Sequence, residues 1–241
     1  MGMTLTEKIL ARHAALESVE PGQIINAKVD LVLANELSAA VAIGVMRGIK
    51  GAGKVFDPSK IALVADHFVP AKDAQSAGLA RLMKEFAAEQ KVEHFFDVGR
   101  GGIEHVVLPE EGLVAPGELI VGGDSHTCTY GAFGAFATGM GSTDIAAAFV
   151  LGEVWLKVPA SIKLVYSGKP GPFVYAKDIM LRTVGELGID GATYRAIEYH
   201  GTTVDELSIT GRITMANMAI EAGAKNGIFH ADAKDVYKRQ S

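Results

Sequence analysis

Short apolar runs alternate with longer amphipathic windows through the first 150 residues. No other feature of the chain restricts its architecture as much. Residues 61–65 (Ile-Ala-Leu-Val-Ala) carry no polar side chain and are too short to form a helix alone. After a polar loop, residues 74–90 place Leu79, Leu82, Met83 and Phe86 on one helical face. The pairing recurs. Residues 29–33, 92–98 and 119–121 read as strands, and residues 4–16, 37–49 and 142–151 as helices. Thr4 and Glu7 have the spacing of a capping box, and Ser142 suits an N-cap. Strands that are apolar throughout must be covered on both faces. The pattern therefore predicts an α/β fold with helices on the faces of its sheet.

A second unit is expected after Pro159. Residues 161–166 and 195–199 read as strands, and residues 176–187 and 208–222 as helices. This divides the chain into a first α/β domain, residues 1–158, and a shorter, partial second one, residues 159–241. A length of 241 residues accommodates two such units.

Composition excludes several functions. The chain carries 28 acidic against 23 basic residues, a net charge of −5, with no basic block for a nucleic-acid partner. No apolar run approaches the ~18 residues of a membrane span. The first residues, with Glu7, Lys8 and Arg12, lack the apolar core of a secretory signal. A single cysteine, Cys128, excludes an internal disulfide and a cysteine-only metal site, so a cytoplasmic location is expected.

Histidines cluster where strands end. Asp66-His67 follows the run at 61–65, His105 follows Gly101-Gly102-Ile103-Glu104 after the strand ending at Val98, and Asp124-Ser125-His126 follows the strand at 119–121. Open α/β sheets bind ligands outside the carboxyl ends of their strands, so these segments are expected to converge on one crevice. A histidine beside a carboxylate suits proton transfer. The same placement also fits solvated or simply hydrogen-bonded histidines. The glycine-rich stretch from Gly131 to Ser142 leads into a helix N-terminus, which fits either a seat for an anion or close packing. Asn217 and Glu221, four apart, fall on one face of the expected helix, as a functional or a merely solvated pair. Glu198 and His200 alternate along a strand and share a face.

Other patterns fail. Gly48-x-x-x-x-Gly53-Lys54 follows a helix and has Val55 where a P-loop needs Ser or Thr. Ser125 lacks the glycine of a nucleophile elbow, since Thr127 stands there, and its neighbour His126 is expected to be poorly placed as its base. A zinc site built from His67, His105 and His126 is conceivable, without tight ligand spacing to support it.

The segment Gly122-Gly123-Asp124-Ser125-His126-Thr127-Cys128-Thr129-Tyr130-Gly131 resembles the aconitase family. So do Val64-Ala65-Asp66-His67, Gly101 to His105, Gly141-Ser142-Thr143-Asp144, Trp155 to Pro159, Glu198-Tyr199-His200-Gly201 and Met215 to Glu221. The likeness is to the branch whose swivelling domain is a separate small subunit. It implies aconitase-type α/β/α domains and reversible dehydration of a small hydroxy-dicarboxylate on a [4Fe–4S] cluster. Isopropylmalate in leucine synthesis is the first substrate, with homoaconitate and 2,3-dimethylmalate as alternatives. The resemblance assigns Asp66 and His67 to protonating the leaving hydroxyl. It sets His105, Asp124 and His126 around the bound water and substrate oxygens, and Ser125, Asn217 and Glu221 near the iron site. The base for the carbon-bound proton would be a serine on the small subunit, not Ser125. One departure stands out: the family's Ser-Cys-Thr-Asn and Cys-x-x-Cys cluster motifs do not occur here. The chain therefore reads as a truncated large subunit, with residues from about 234 unlike the family, and alone as a non-catalytic fragment without cluster ligands.

Overall fold

The structure, a computed structural model, describes residues 2–232. The expected change of sequence near residue 234 lies outside them.

Helix α1 (Leu5–His13) opens with the capping box: Thr4 Oγ1 accepts from Glu7 N–H, and the Glu7 carboxylate accepts from Thr4 N–H. Two strands follow, β1 (Ile24–Lys28) and β2 (Leu31–Asn35). The strand expected at 29–33 is found at 31–35, and β1 before it was not expected. Between the two strands Asp30 turns inward to accept from Leu119 N–H at 3.0 Å and to pair with His13 at 2.6 Å.

Five parallel strands form the main sheet, in the order β4 (His94–Phe96), β3 (Ile61–Val64), β2, β5 (Leu119–Gly122), β6 (Phe136–Gly139). Strand β6 lies in the glycine-rich stretch from Gly131 to Ser142. Every residue of β2, β3 and β5 is buried. One face is covered by α2 (Glu36–Gly48), α3 (Ala74–Gln90) and α5 (Ser142–Leu151), which bury Ile43, Met46, Phe86 and Phe149. Each such side chain contributes roughly 1.5–3 kcal/mol by leaving water.

Strand β7 (Glu153–Lys157) returns to pair antiparallel with β1, Ile24 opposite Lys157. The second sheet follows, parallel, in the order β10 (Asn226–Ile228), β9 (Arg195–His200), β8 (Ala160–Val165). Its side chains Ile197 and Tyr199, with Phe229 just beyond β10, share one buried cluster with Leu33, Val64 and Ile120 of the first sheet. The helix expected at 208–222 is two elements. An α-helix, α8, spans Ile209–Asn217, and a 3-10 turn follows over Met218–Ala222. The remaining helices are α4 (Glu104–Glu110), α6 (Ala176–Leu187) and α7 (Thr202–Glu206). Among the described residues no helix is long and apolar enough to cross a membrane.

Candidate active site

The strand order places a reversal at β2. The chain winds outward through β3 and β4, then crosses back to lay β5 on the other side of β2. The carboxyl ends of strands on the two sides of such a switch point diverge and leave a crevice. Asn35 and Glu36 lie at the end of β2, Asp66 and His67 beyond β3, and Asp124 to His126 beyond β5.

Asp124 is the centre of this arrangement. Its Oδ1 accepts from His105 Nε2 at 2.9 Å and from the His126 N–H at 2.8 Å, and its Oδ2 lies 3.4 Å from His67 Nε2. Burial alone would raise this carboxyl. The His105 and His126 hydrogen bonds outweigh it and hold Asp124 down at about 2. Ionised, Asp124 only accepts, so His105 Nε2 carries the proton of that bond. His105 Nδ1 is engaged in turn by Tyr130 Oη at 3.1 Å. His67, the exposed member, has Nδ1 3.8 Å from Asp66 Oδ2. His126 Nε2 meets Glu221 Oε1 at 3.2 Å, across the gap to the 3-10 turn after α8. The structure thus brings Asp66, His67, His105, Asp124, His126 and Glu221 together.

Three local expectations change. His105 sits in the first turn of α4 rather than in a loop, because the chain enters a helix immediately after Ile103. Ser125 and His126 are not poorly placed for each other. Residues 125–133 form a 3-10 helix, capped by Asp124, that brings Ser125 Oγ to 3.2 Å from His126 Nδ1. Asn217 and Glu221 do not share an α-helical face, since α8 ends at Asn217. The Asn217 Nδ2 donates to Thr129 Oγ1 at 2.9 Å, supporting the 3-10 helix from behind, while Glu221 alone reaches a histidine.

Four residues of the site carry no signal in the strand-end histidine pattern. Glu36 is fully buried and accepts from Asp66 N–H at 2.9 Å and from Phe68 N–H, fixing the loop that carries His67. Asn35 caps α2, accepting from Leu37 and Ser38, and donates Nδ2 to Glu104 Oε1 at 3.2 Å. Glu104 is fully buried, and its N–H donates to Asp66 Oδ2 at 2.9 Å. Burial first, then the charges of Asp124, Asp66 and Glu36, push its carboxyl up to about 8. Tyr130 is the fourth, fully buried beneath His105. The rule that singles out the histidines, applied to the end of the run Leu31-Val32-Leu33-Ala34, singles out Asn35 and Glu36 as well.

The glycines here serve close packing. A Cβ on Gly131 would stand 2.0 Å from the carbonyl oxygen of Gly227, and one on Gly139 would stand 2.5 Å from that of Asp124. A crevice of about 390 Å³ opens beside Asp124 and Ser125, bounded by Trp155, Tyr194 and Lys225.

Residues 7–237 match the family described as Aconitase family (aconitate hydratase). The chain belongs to the aconitase family. The matched span extends past residue 234. Among its curated relatives is the 3-isopropylmalate dehydratase large subunit of Moorella thermoacetica, 59% identical over 98% of this chain and 56% of the relative. That of Desulfatibacillum aliphaticivorans is 56% identical over 97% of this chain and 56% of its own length. The 3-isopropylmalate dehydratase large subunit 1 of Pyrococcus furiosus is 53% identical over 98% and 55%. The chain thus spans little more than half the length of these relatives.

Membership of the aconitase family implies a [4Fe–4S] cluster, whose ligands are thiolates. The residues present do not fit one. Cys128 is the sole cysteine, it is fully buried, and its Sγ donates to the Asn217 carbonyl at 3.4 Å. Burial pushes this thiol up to about 12, with the charges of Glu221 and Asp124 adding to the rise. It is a packed thiol, and one sulfur cannot replace three. Zinc on three histidines fares no better. The metal-capable groupings among the described residues are Asp66–His67–Glu104 and Glu104–His105–Asp124, neither with more than one histidine. Both nitrogens of His105 are already hydrogen-bonded.

Proposed function

We propose that this chain is part of the large subunit of a hydro-lyase interconverting 2-isopropylmalate and 3-isopropylmalate by dehydration and rehydration, in leucine synthesis in the cytoplasm. The observation that carries the chemistry is the gathering of three histidines around one ionised carboxylate, Asp124, at the switch point of a parallel sheet. The names of the curated relatives support the substrate, and the word "large" in those names supports a small subunit as partner. Homoaconitate and 2,3-dimethylmalate remain the alternative substrates.

Dehydration removes a hydroxyl from one carbon and a proton from its neighbour, releasing water and leaving an alkene. The exposed His67 has Asp66 near one nitrogen and Asp124 near the other. We assign it the transfer of a proton to the departing hydroxyl and, on rehydration, the removal of a proton from the attacking water. Carboxylates on both sides stabilise the imidazolium that makes the transfer possible. His105, held between Tyr130 and Asp124, orients Asp124. His126, with Glu221 and Ser125, guards the side nearest the second sheet. The acceptor of the carbon-bound proton lies on the partner subunit. Thiolate ligands for a cluster lie outside these 241 residues, so the isolated chain is inactive and binds no iron–sulfur cluster.

The test extends the polypeptide to the length of its relatives and co-expresses it with the small subunit. Hydration of the unsaturated isopropyl intermediate is then followed, with homoaconitate and dimethylmalate as competitors. His67→Ala is expected to lower kcat by roughly 10²–10⁴-fold while leaving iron content unchanged. Equal loss of iron and activity would make His67 a structural residue. No turnover of any of the three substrates would remove the hydro-lyase reading.

A further inference from the structure

Glu104 lies outside the assignments made above, and its surroundings are unusual for a carboxyl group. It has no exposed surface. Oε1 accepts from Asn35 Nδ2, but Oε2 is buried with no hydrogen-bond partner. The groups that face it are the carboxylates of Glu36 at the start of α2, Asp66 beyond β3 and Asp124 beyond β5. The imidazoles of His67 and His105 and the phenol of Tyr130 complete the surroundings. A carboxylate in this position would carry one bare oxygen in a low-dielectric pocket shared with three other acids.

The main chain of Glu104 is also a junction. Its N–H is held by Asp66, its carbonyl accepts from Tyr130 Oη at 3.4 Å, and its side chain is tied to the cap of α2. It therefore couples the ends of β2 and β3 to the helix that carries His105.

We propose that Glu104 is a protonated, uncharged carboxylic acid in the working protein. As a positioning residue it would set the Asp66–His67 and His105–Asp124 pairs at a fixed separation without adding a fourth negative charge to the crevice. This rests on the hydro-lyase reading only for its purpose: a substrate bearing two carboxylates enters a crevice already lined by acids, and each acid kept neutral lowers the repulsion it meets. Burial and the neighbouring carboxylates account for the high proton affinity on which this depends.

Infrared difference spectroscopy of the 241-residue chain tests it directly. At pH 7 wild type should show the carbonyl stretch of a buried protonated carboxyl. That band should shift in deuterium oxide, fade between pH 7 and 9, and be missing in Glu104→Gln. A wild-type spectrum at pH 7 without the band overturns the proposal. Should the glutamine variant fail to fold, wild type labelled with ¹³C at the glutamate carboxyl carbon serves instead. One resonance titrating near 8 supports the proposal, and all titrating below 6 overturns it. Neither readout needs turnover. The band in a protein whose assembled complex is inactive would leave Glu104 standing and remove the hydro-lyase reading. An active complex with an ionised Glu104 would do the reverse.

Discussion

Replacing Glu36 by glutamine isolates the contact that holds the His67 loop. The Glu36 carboxylate accepts two main-chain N–H groups, from Asp66 at 2.9 Å and from Phe68, and the side chain is fully buried. Hydrogen bonds to a charged group contribute about 1.5–3 kcal/mol each. Glutamine has nearly the same volume but one acceptor oxygen, and its NH₂ must face one of the two donors. One bond is then lost and the other loses its charge assistance, a cost of about 2–4 kcal/mol. For a chain of this size that lowers Tm by about 4–16 °C. The loop should loosen as well, and His67 Nε2 should drift from its 3.4 Å approach to Asp124 Oδ2. Thermal melts by circular dichroism measure the first effect, and the chemical shift of the His67 Cε1 proton resonance measures the second. A variant melting within a degree of wild type, with an unaltered His67 chemical shift, would refute the reasoning. The loop would then be held by its own packing.

The site's contribution to stability should depend on pH in two opposed ways. Asp124, depressed to about 2, stabilises by about 2 kcal/mol above pH 4 and loses this as pH falls toward 2. Glu104, raised to about 8, has the opposite sign, since the folded state holds a proton that the unfolded state releases from about pH 4.5 upward. Its destabilisation therefore grows to roughly 4–5 kcal/mol by pH 8 and then levels. Urea titrations of Asp124→Asn should flatten the acid limb below pH 4, and those of Glu104→Gln should remove the fall in stability between pH 4.5 and 8; profiles unchanged in the variants would discard both assignments. Gly131→Ala, which drives a Cβ into the Gly227 carbonyl, should cost more than about 3 kcal/mol, and a stable, soluble variant would count against the packing described. Cys128 should resist thiol reagents in the native chain and react only at the rate of unfolding; rapid labelling would contradict its burial.

The sequence pattern was most informative where burial is complete. The sheet-forming runs at 61–65 and 119–121 are recognisable because both of their faces are covered, leaving no polar residue to confuse the period. Strands β1 and β7 went unrecognised for the opposite reason. Each buries one face of a two-stranded pair, so five residues offer only two buried positions among Asn, Lys, Glu and Trp. The histidines were legible because their places follow from topology, and the aconitase resemblance gave them roles. Asn35 and Glu36 share the strand-end position but have no histidine to mark them, and Glu104 and Tyr130 stand out by no such pattern. Their importance comes from contacts between β2, β3 and the 3-10 helix that are distant in sequence. Asn217 and Glu221 were paired by helical spacing, which fails when an α-helix tightens into a 3-10 turn.

The pairing of β1 with β7 has a consequence for synthesis. Ile24 finds its partner, Lys157, only after about 130 more residues have been translated. At about 5–20 residues per second, β1 waits roughly 7–25 s on the ribosome with its hydrogen-bonding edge open. Ile24, Asn26 and Lys28 face outward on that strand, and its lysine makes pairing with a neighbouring nascent chain less favourable. Protease pulses on stalled nascent chains should therefore cut near residues 24–28 until Lys157 has cleared the exit tunnel, and protection well before that point would mean β1 finds another shelter first.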